Sequence, residues 1–248
     1  MNFFAHGHTL NIAHRGASSA APPNTLAAFE KAAELGADGI EFDVHLSADG
    51  VPVVIHDFTV DDTTDGRGRV ADLTLAQLEQ LDAGSSFDPA FAGERIPTLT
   101  QVLETCGNRL LLNIELKDLS LRDSGLERAV IAQVERHGLN DRVILSSFNP
   151  FSLHRAKKIA PHIPVGLLYA PNLSLPLRRA WLAPLFPHEA RHPEHSMVDA
   201  RYMAWAHRRG YRVNTWTVDD PDEMRRLIAL GVDSIITNLP DVLCMVQK

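Results

Sequence analysis

The sequence predicts an α/β fold in which eight parallel strands alternate with helices and close into a (β/α)8 TIM barrel, with a β-hairpin and a small insertion after the second strand. Three observations predict it. Apolar runs alternate with amphipathic helical runs from end to end, the pattern of a parallel sheet wrapped by helices. With the hairpin return set aside, eight such runs remain, and eight strands close a barrel. The chain has 248 residues, 45% of them hydrophobic, and such a barrel takes about 250 residues. The reading is one barrel domain over 1–248, with 57–95 as an insertion above its mouth.

Asn11 to His14 is a short strand ending in Arg15-Gly16. Asn24 or Thr25 then caps a helix whose Leu26, Phe29 and Ala33 fall on one stripe. The stretch GIEFDVHLSADGVPVVIHD follows. In an extended strand side chains alternate faces, so Glu41, Asp43 and His45 point one way while Ile40, Phe42 and Val44 point the other. Ser47 to Gly50 reads as a tight turn and Val51 to Ile55 as a return strand. The connection is too short for a parallel crossover, so the pair is an antiparallel hairpin. A turn centred between Asp49 and Gly50 brings His56 opposite Asp43.

From Asp57 to Arg95 the composition shifts to Asp, Gly, Thr and Ser, with a short helix near Leu75 to Leu81. Asp57, Asp61, Asp62 and Asp65 read there as turn formers in a solvated loop. Pro97 to Cys106 supplies a helix, and Leu110 to Leu116 a strand on which Asn113, Glu115 and Lys117 share a face. A helical stripe from Leu126 to Val134 ends at Gly138. Val143 to Ser147 is a strand, and Pro150 is a good first position for the next helix. Val165 to Tyr169 is a strand. The proline-rich stretch from Ala170 to His195 holds one short helix and a weak strand around Ala190. A helix from Val198 to Arg209, a strand from Arg212 to Val218, a helix from Pro221 to Leu230, a strand from Ser234 to Thr237 and a last helical turn complete the chain.

The net charge of -7 and the lack of a basic run exclude a nucleic-acid partner, because phosphate backbones are gripped by clustered Lys and Arg. The opening MNFFAHGHTL has neither a basic nor an apolar leader segment, and no run is long enough to span a bilayer. A cytoplasmic protein without stable membrane association is expected. Cys106 and Cys244 lack metal or redox spacing and read as reduced thiols. A homodimer patch on the outer helices would look like any broad amphipathic stripe, so a homodimer stays open.

In such barrels the reacting groups lie at the C-terminal ends of the strands. His14-Arg15, Glu41 and Asp43, Glu115 and Lys117, Ser147, Trp216 and Thr237-Asn238 interrupt the apolar strands there. Buried carboxylates cannot all stay ionised without a compensating cation. Glu41, Asp43 and Glu115 therefore ask for one divalent metal, and oxygen ligation favours Mg²⁺ or Ca²⁺ over zinc. Three carboxylates, that ion, Arg15 and Lys117 leave one net positive charge, which suits a monoanion such as a phosphodiester. Arg15 can hold two phosphoryl oxygens as a fork, with Lys117 as a point charge. His14 is assigned the general acid and His56 the base.

These residues resemble the glycerophosphodiester phosphodiesterase family, above all its small cytoplasmic bacterial members. The resemblance runs over nearly the whole chain and is most specific in IAHRGASSAAPPNT, GIEFDVHLSADGVPVVIHD, LNIELK, ILSSF, VNTWTVDD and IITNLPD. It implies a catalytic barrel that cleaves small-molecule glycerophosphodiesters to sn-glycerol 3-phosphate and an alcohol. It also implies a metal held by Glu41, Asp43 and Glu115, a catalytic pair in His14 and His56, phosphate contacts from Arg15 and Lys117, and Trp216 against the glycerol. Two positions depart from the family pattern: Pro23 stands where a glutamate is usual, and Asn238 where an acidic residue is frequent.

Other readings compete. A given histidine among 12 is more often a surface or core residue, and only their neighbours single out His14 and His56. The lesser reading of Glu115 and Lys117 is a structural ion pair, and that of Trp216 is core packing. His188-Glu189-Ala190-Arg191-His192 matches the zinc-protease string, but prolines at 187 and 193 leave too few residues for the helix that motif needs. The same site could serve a lysophospholipase D-type phosphodiesterase, with an apolar groove at Leu173 to Phe186 or Phe87 to Phe91, or a non-catalytic phosphodiester-binding barrel. Two routes suit this set of residues: direct attack by water, or attack by a glycerol hydroxyl giving a cyclic phosphate that a single turnover would trap.

Overall fold

The computed structural model describes residues 3, 6–178, 180, 183 and 186–248, with backbone alone at 176 and 177. Its strands are β1 (Leu10–His14), β2 (Gly39–Leu46), β3 (Pro52–Val54), β4 (Leu111–Leu116), β5 (Val143–Ser147), β6 (Val165–Tyr169), β7 (Ala190–Pro193), β8 (Arg212–Thr215) and β9 (Ser234–Thr237). All but β3 run parallel, and pairing of β9 and β2 with β1 closes them into an eight-stranded barrel. The helices between them are α1 (Leu26–Glu34), α2 (Leu75–Leu78), α3 (Leu99–Cys106), α4 (Leu126–Arg136), α5 (Pro150–Ile159), α6 (Leu175–Arg178), α7 (Ala200–Arg208), α8 (Pro221–Leu230) and α9 (Pro240–Val246). No helix among the described residues is long and apolar enough to cross a membrane.

Strand alternation separates two cores. Ala13, Ile40, Phe42, Leu112, Ile114 and Leu145 point outward and pack with Phe29, Leu99 and Val130 of the helical layer. Ile12, Leu111, Ile144 and Ile236 point inward and fill the lower barrel. One turn higher the inward positions become polar, and there the site begins. Gly166 shows how little room the interior leaves, since a Cβ there would lie 2.2 Å from His192 Nε2.

The helix starts follow their caps. Thr25 Oγ1 accepts from Ala28 N, Thr98 Oγ1 from Gln101 N, and Asp220 Oδ1 from both Asp222 N and Glu223 N. Of the two capping candidates before α1, Thr25 caps, which releases Asn24 for the site.

The hairpin register differs from the sequence expectation by one residue. Val44 pairs with Val54 and Leu46 with Pro52, so Ile55, not His56, comes back opposite Asp43. The Ser47 hydroxyl causes this by accepting from Val51 N and donating to Asp49 Oδ1, which pins five residues into the turn. In that register a continued strand would turn His56 away from the barrel. Pairing stops short of His56, and it lines the same cavity as His14 and Glu41.

Residues 57–98 pack on the hairpin through Val53, Ile55, Val60, Val70, Leu78 and Ile96, a small core of their own. The zinc-protease string forms no helix and its last three residues begin β7: His192 points into the barrel, while before the strand Glu189 pairs with Lys157 and His188 stacks on Tyr211.

A buried charge network anchors the loop after β4. Glu127 on α4 is fully buried and accepts from Ser152 Oγ and from Arg155, whose Nη2 also reaches Asp118 Oδ2 at 2.7 Å. Arg155→Ala strands two buried carboxylates and is expected to destabilise the fold by about 3 kcal/mol in urea unfolding.

Candidate active site

Neighbouring strand ends set the acidic residues side by side. His14 is level with Glu41 across β1 and β2, and Asp43 with Glu115 across β2 and β4. Alternation points all four into the barrel. One oxygen from each of Glu41, Asp43 and Glu115 lies within 4.8 Å of the others, and all three side chains are buried. The protein's own cations only partly balance them. Lys117 Nζ bridges Asp43 Oδ1 at 2.9 Å and Glu115 Oε1 at 2.8 Å, and Arg15 Nε stands 3.5 Å from Asp43 Oδ2.

The carboxyl groups respond unequally. Burial alone would lift Asp43, but Lys117 and Arg15 bring it down to about 2. Glu115 is pushed up to about 7, by burial first, with Asp43 adding to it against the pull of Lys117. Glu41 is raised well above the carboxylate range by burial and by the charges of Asp43 and Glu115. An all-oxygen donor set that is buried and short of positive charge fits a hard divalent cation.

Arg15 reaches the site through a strained turn. It has φ +55°, Gly16 follows at +82°, and a Cβ on Gly16 would sit 2.7 Å from Ala28 Cβ. Asn24, at φ +61°, donates its N–H to Arg15 O and its side-chain amide to Asp43 Oδ2 at 2.9 Å. Left-handed backbone at non-glycine residues is costly and persists where the surroundings enforce it. Arg15 Nε is buried without a hydrogen bond, and Pro23 lines the adjoining cavity. No acidic group at 23 is there to take it.

The two imidazoles are oriented alike. His56 Nδ1–H donates to Asp57 Oδ1 at 2.7 Å, and His45 Nε2–H holds the His56 carbonyl at 3.1 Å. His14 Nδ1–H donates to Asn238 Oδ1 at 2.7 Å. Asp219 fixes the sense of that amide, since its Oδ2 accepts from Asn238 Nδ2 and its Oδ1 from Asn238 N and Thr237 Oγ1. Each ring therefore keeps Nε2 for the cavity, and that of His14 lies 3.9 Å from Glu41 Oε2. Burial lowers both rings; for His14, with Arg15 adding, the value is about 4.

The cavity between these groups measures about 170 Å³ and is lined by all the expected site residues except Asp43, which sits behind Lys117 and Asn24. Trp216 forms one wall, its Nε1–H donating to His192 O and its ring meeting Phe148 edge-on at 5.6 Å. Sequence reasoning missed four contributors. The sequence pattern marks Asn24 only as a candidate cap and Asp57 as a turn former, and gives His45 and Asp219 no place in the site. A usable signal was present: capping residues are doubled at Asn24-Thr25 and Asp219-Asp220, and a helix needs only one.

Comparison with known proteins follows the same lines. Residues 14–242 match the glycerophosphoryl diester phosphodiesterase family. A glycerophosphodiester phosphodiesterase of Caldanaerobacter subterraneus subsp. tengcongensis is 46% identical over 95% of this chain and 96% of its own. A phosphodiesterase structure from Oleispira antarctica, in complex with the product sn-glycerol-3-phosphate, superposes with a TM-score of 0.87 at 33% identity, covering 95% of each chain. A glycerophosphodiester phosphodiesterase structure from Agrobacterium tumefaciens gives 0.80 at 30% identity, covering 96% of this chain and 99% of that one.

Proposed function

Because the chain belongs to the glycerophosphoryl diester phosphodiesterase family and is an enzyme that hydrolyses glycerophosphodiesters, we propose that it does so at Glu41, Asp43 and Glu115, around one Mg²⁺ or Ca²⁺ ion. The observation that carries this is the convergence of three buried carboxylates with two imidazoles that both present Nε2. When bound, the cation supplies electrophilic polarisation of the phosphoryl group.

The residues then divide the work. Arg15 holds the phosphoryl oxygens, and Lys117, whose ammonium bridges Asp43 and Glu115 on the cavity wall, adds a second positive charge beside them. His56 Nε2 takes the proton of the attacking oxygen. Asp57 supports this by fixing the tautomer and stabilising the imidazolium that forms, the logic of a carboxylate behind a catalytic histidine. His14, which burial and Arg15 leave neutral before substrate binds, takes up a proton at Nε2 when the anionic phosphate binds and gives it to the leaving oxygen, with Asn238 holding Nδ1–H throughout. Trp216 lies against the glycerol. Residues 57–95 serve as an insertion over the mouth of one catalytic domain. Unpaired Cys106 and Cys244 support a cytoplasmic setting.

Asn238→Ala is expected to lower kcat by about 10- to 100-fold with KM nearly unchanged, because His14 then keeps its contacts with substrate but loses the acceptor that orients it. Steady-state kinetics on glycerophosphocholine read this split. The reaction itself is tested by measuring glycerol 3-phosphate released from glycerophosphocholine, after chelation and again after adding Mg²⁺ or Ca²⁺. Release that stops and returns supports the reading; release indifferent to chelator removes the cation from it.

A further inference from the structure

Two side chains on the wall of the catalytic cavity take no part in the proton transfers or the phosphate contacts. Asn113 on β4 stands beside Glu41, its partner across β2, and Ser146 on β5 stands beside Glu115 in the same way. Both line the cavity and both are buried, at 2% and 0% exposure. Asn113 Oδ1 and Ser146 Oγ nonetheless have no hydrogen-bond partner. The next serine shows that this is not the rule on the strand, since Ser147 Oγ donates to Leu116 O and accepts from Asn149 N.

Buried polar atoms are nearly always paired, and an unpaired one costs stability that a fitting ligand recovers. What fits here is narrow. Asn113 Oδ1 can only accept, whereas Ser146 Oγ can donate or accept. A hydroxyl satisfies both by donating to the first and accepting from the second. An anion is repelled by that oxygen and by the carboxylate cluster alongside, and an ether or ester oxygen has no proton to give it.

Position selects which hydroxyl. Asn113 lies four residues before Lys117 on the same face of the strand, deeper in the barrel. With the phosphate at Arg15 and Lys117 and the glycerol against Trp216, the free terminal hydroxyl is the part of the substrate farthest from phosphorus. Leu168 and Ile236, which line the same cavity, offer it no partner.

We propose that Asn113 and Ser146 hold the free terminal hydroxyl of the glycerol, and so set the selectivity for glycerol over other alcohols on that side of the phosphorus. This rests on the reading of the catalytic cavity given above. Selectivity of this kind is steep, because a substrate without the hydroxyl leaves two buried polar atoms unpaired in the transition state. The apolar stretches that the sequence suggested for a groove stand apart from this contact. Leu173 and Phe87 line two other cavities, and positions 179, 181, 182, 184 and 185 lie outside the described residues.

The test compares glycerophosphocholine with the 1-phosphocholine ester of propane-1,2-diol, following choline release from both. In that analogue a methyl group replaces the terminal CH2OH, and the neighbouring hydroxyl is kept. The wild type is expected to favour glycerophosphocholine by about tenfold or more in kcat/KM, and a smaller preference overturns the assignment whether or not the variants fold. Ser146→Ala, and separately Asn113→Leu, are expected to cut that preference by about threefold or more by slowing glycerophosphocholine, with unfolding midpoints near that of wild type. A preference unchanged in folded variants also overturns it, since both substrates then suffer alike and the two residues serve the structure only. Either result leaves the catalytic reading standing. No turnover of glycerophosphocholine by the wild type overturns both.

Discussion

His56→Ala is expected to lower kcat on glycerophosphocholine by about 10²- to 10⁴-fold, with the unfolding midpoint close to that of wild type. The ring lies at the mouth, beyond the last paired residue of the hairpin, and its side chain is about one-third exposed, so its loss leaves the packed core intact. What is lost is the proton acceptor and the use of Asp57 behind it. His14→Ala is expected to fall in the same range, and the leaving group separates the two. With a p-nitrophenyl diester the departing oxygen needs no proton, so His14→Ala recovers most of its activity there while His56→Ala does not. Equal defects of both variants on both substrates would reverse or dissolve the division of roles.

Glu41→Gln is expected to reduce turnover by about 10²-fold or more while leaving the cation-free protein as stable as wild type or more so. The gain follows from the crowding of three buried carboxylates around two cations, of which Glu41 holds neither as an ion-pair partner. Its Oε2 accepts only a long bond from Arg15 N at 3.3 Å, which an amide oxygen can also accept. Burial and the charges of Asp43 and Glu115 hold Glu41 neutral in the cation-free site, which costs folding free energy near pH 7, and glutamine keeps the shape without that cost. The variant's Tm in chelator should match or exceed that of wild type, and adding Mg²⁺ or Ca²⁺ should raise the wild-type Tm more than the variant's. A variant that loses several degrees in chelator would mean that Glu41 serves the fold rather than a cation.

The barrel is legible because most of its strands are short apolar runs broken at one end by polar residues; β7, Ala190–Pro193, departs from that pattern with buried Arg191 and His192 and is correspondingly weak in the sequence. The carboxylate cluster was legible for the same reason, since alternation alone points Glu41, Asp43 and Glu115 inward. What alternation could not give was the hairpin register, which depends on one hydroxyl, Ser47, adding a residue to the turn. His56 arrives correctly by a route that the pattern did not contain. The residues that orient the site, Asn24, Asp57 and Asp219, sit in turns, where composition looks the same whether a side chain solvates a loop or holds a catalytic group. Asn238 stands out only against the family pattern, and its meaning depends on Asp219, 19 residues away in sequence and 2.7 Å away in space.

Metal-dependent catalysis at the carboxylate cluster is tested most directly by glycerol 3-phosphate release from glycerophosphocholine by wild type and Glu41→Gln side by side, each with a divalent cation and with chelator. It predicts cation-dependent product from the wild type, abolished by chelator, and almost none from a folded Glu41→Gln variant. Equal product from the two proteins, or product that persists in chelator, would contradict it.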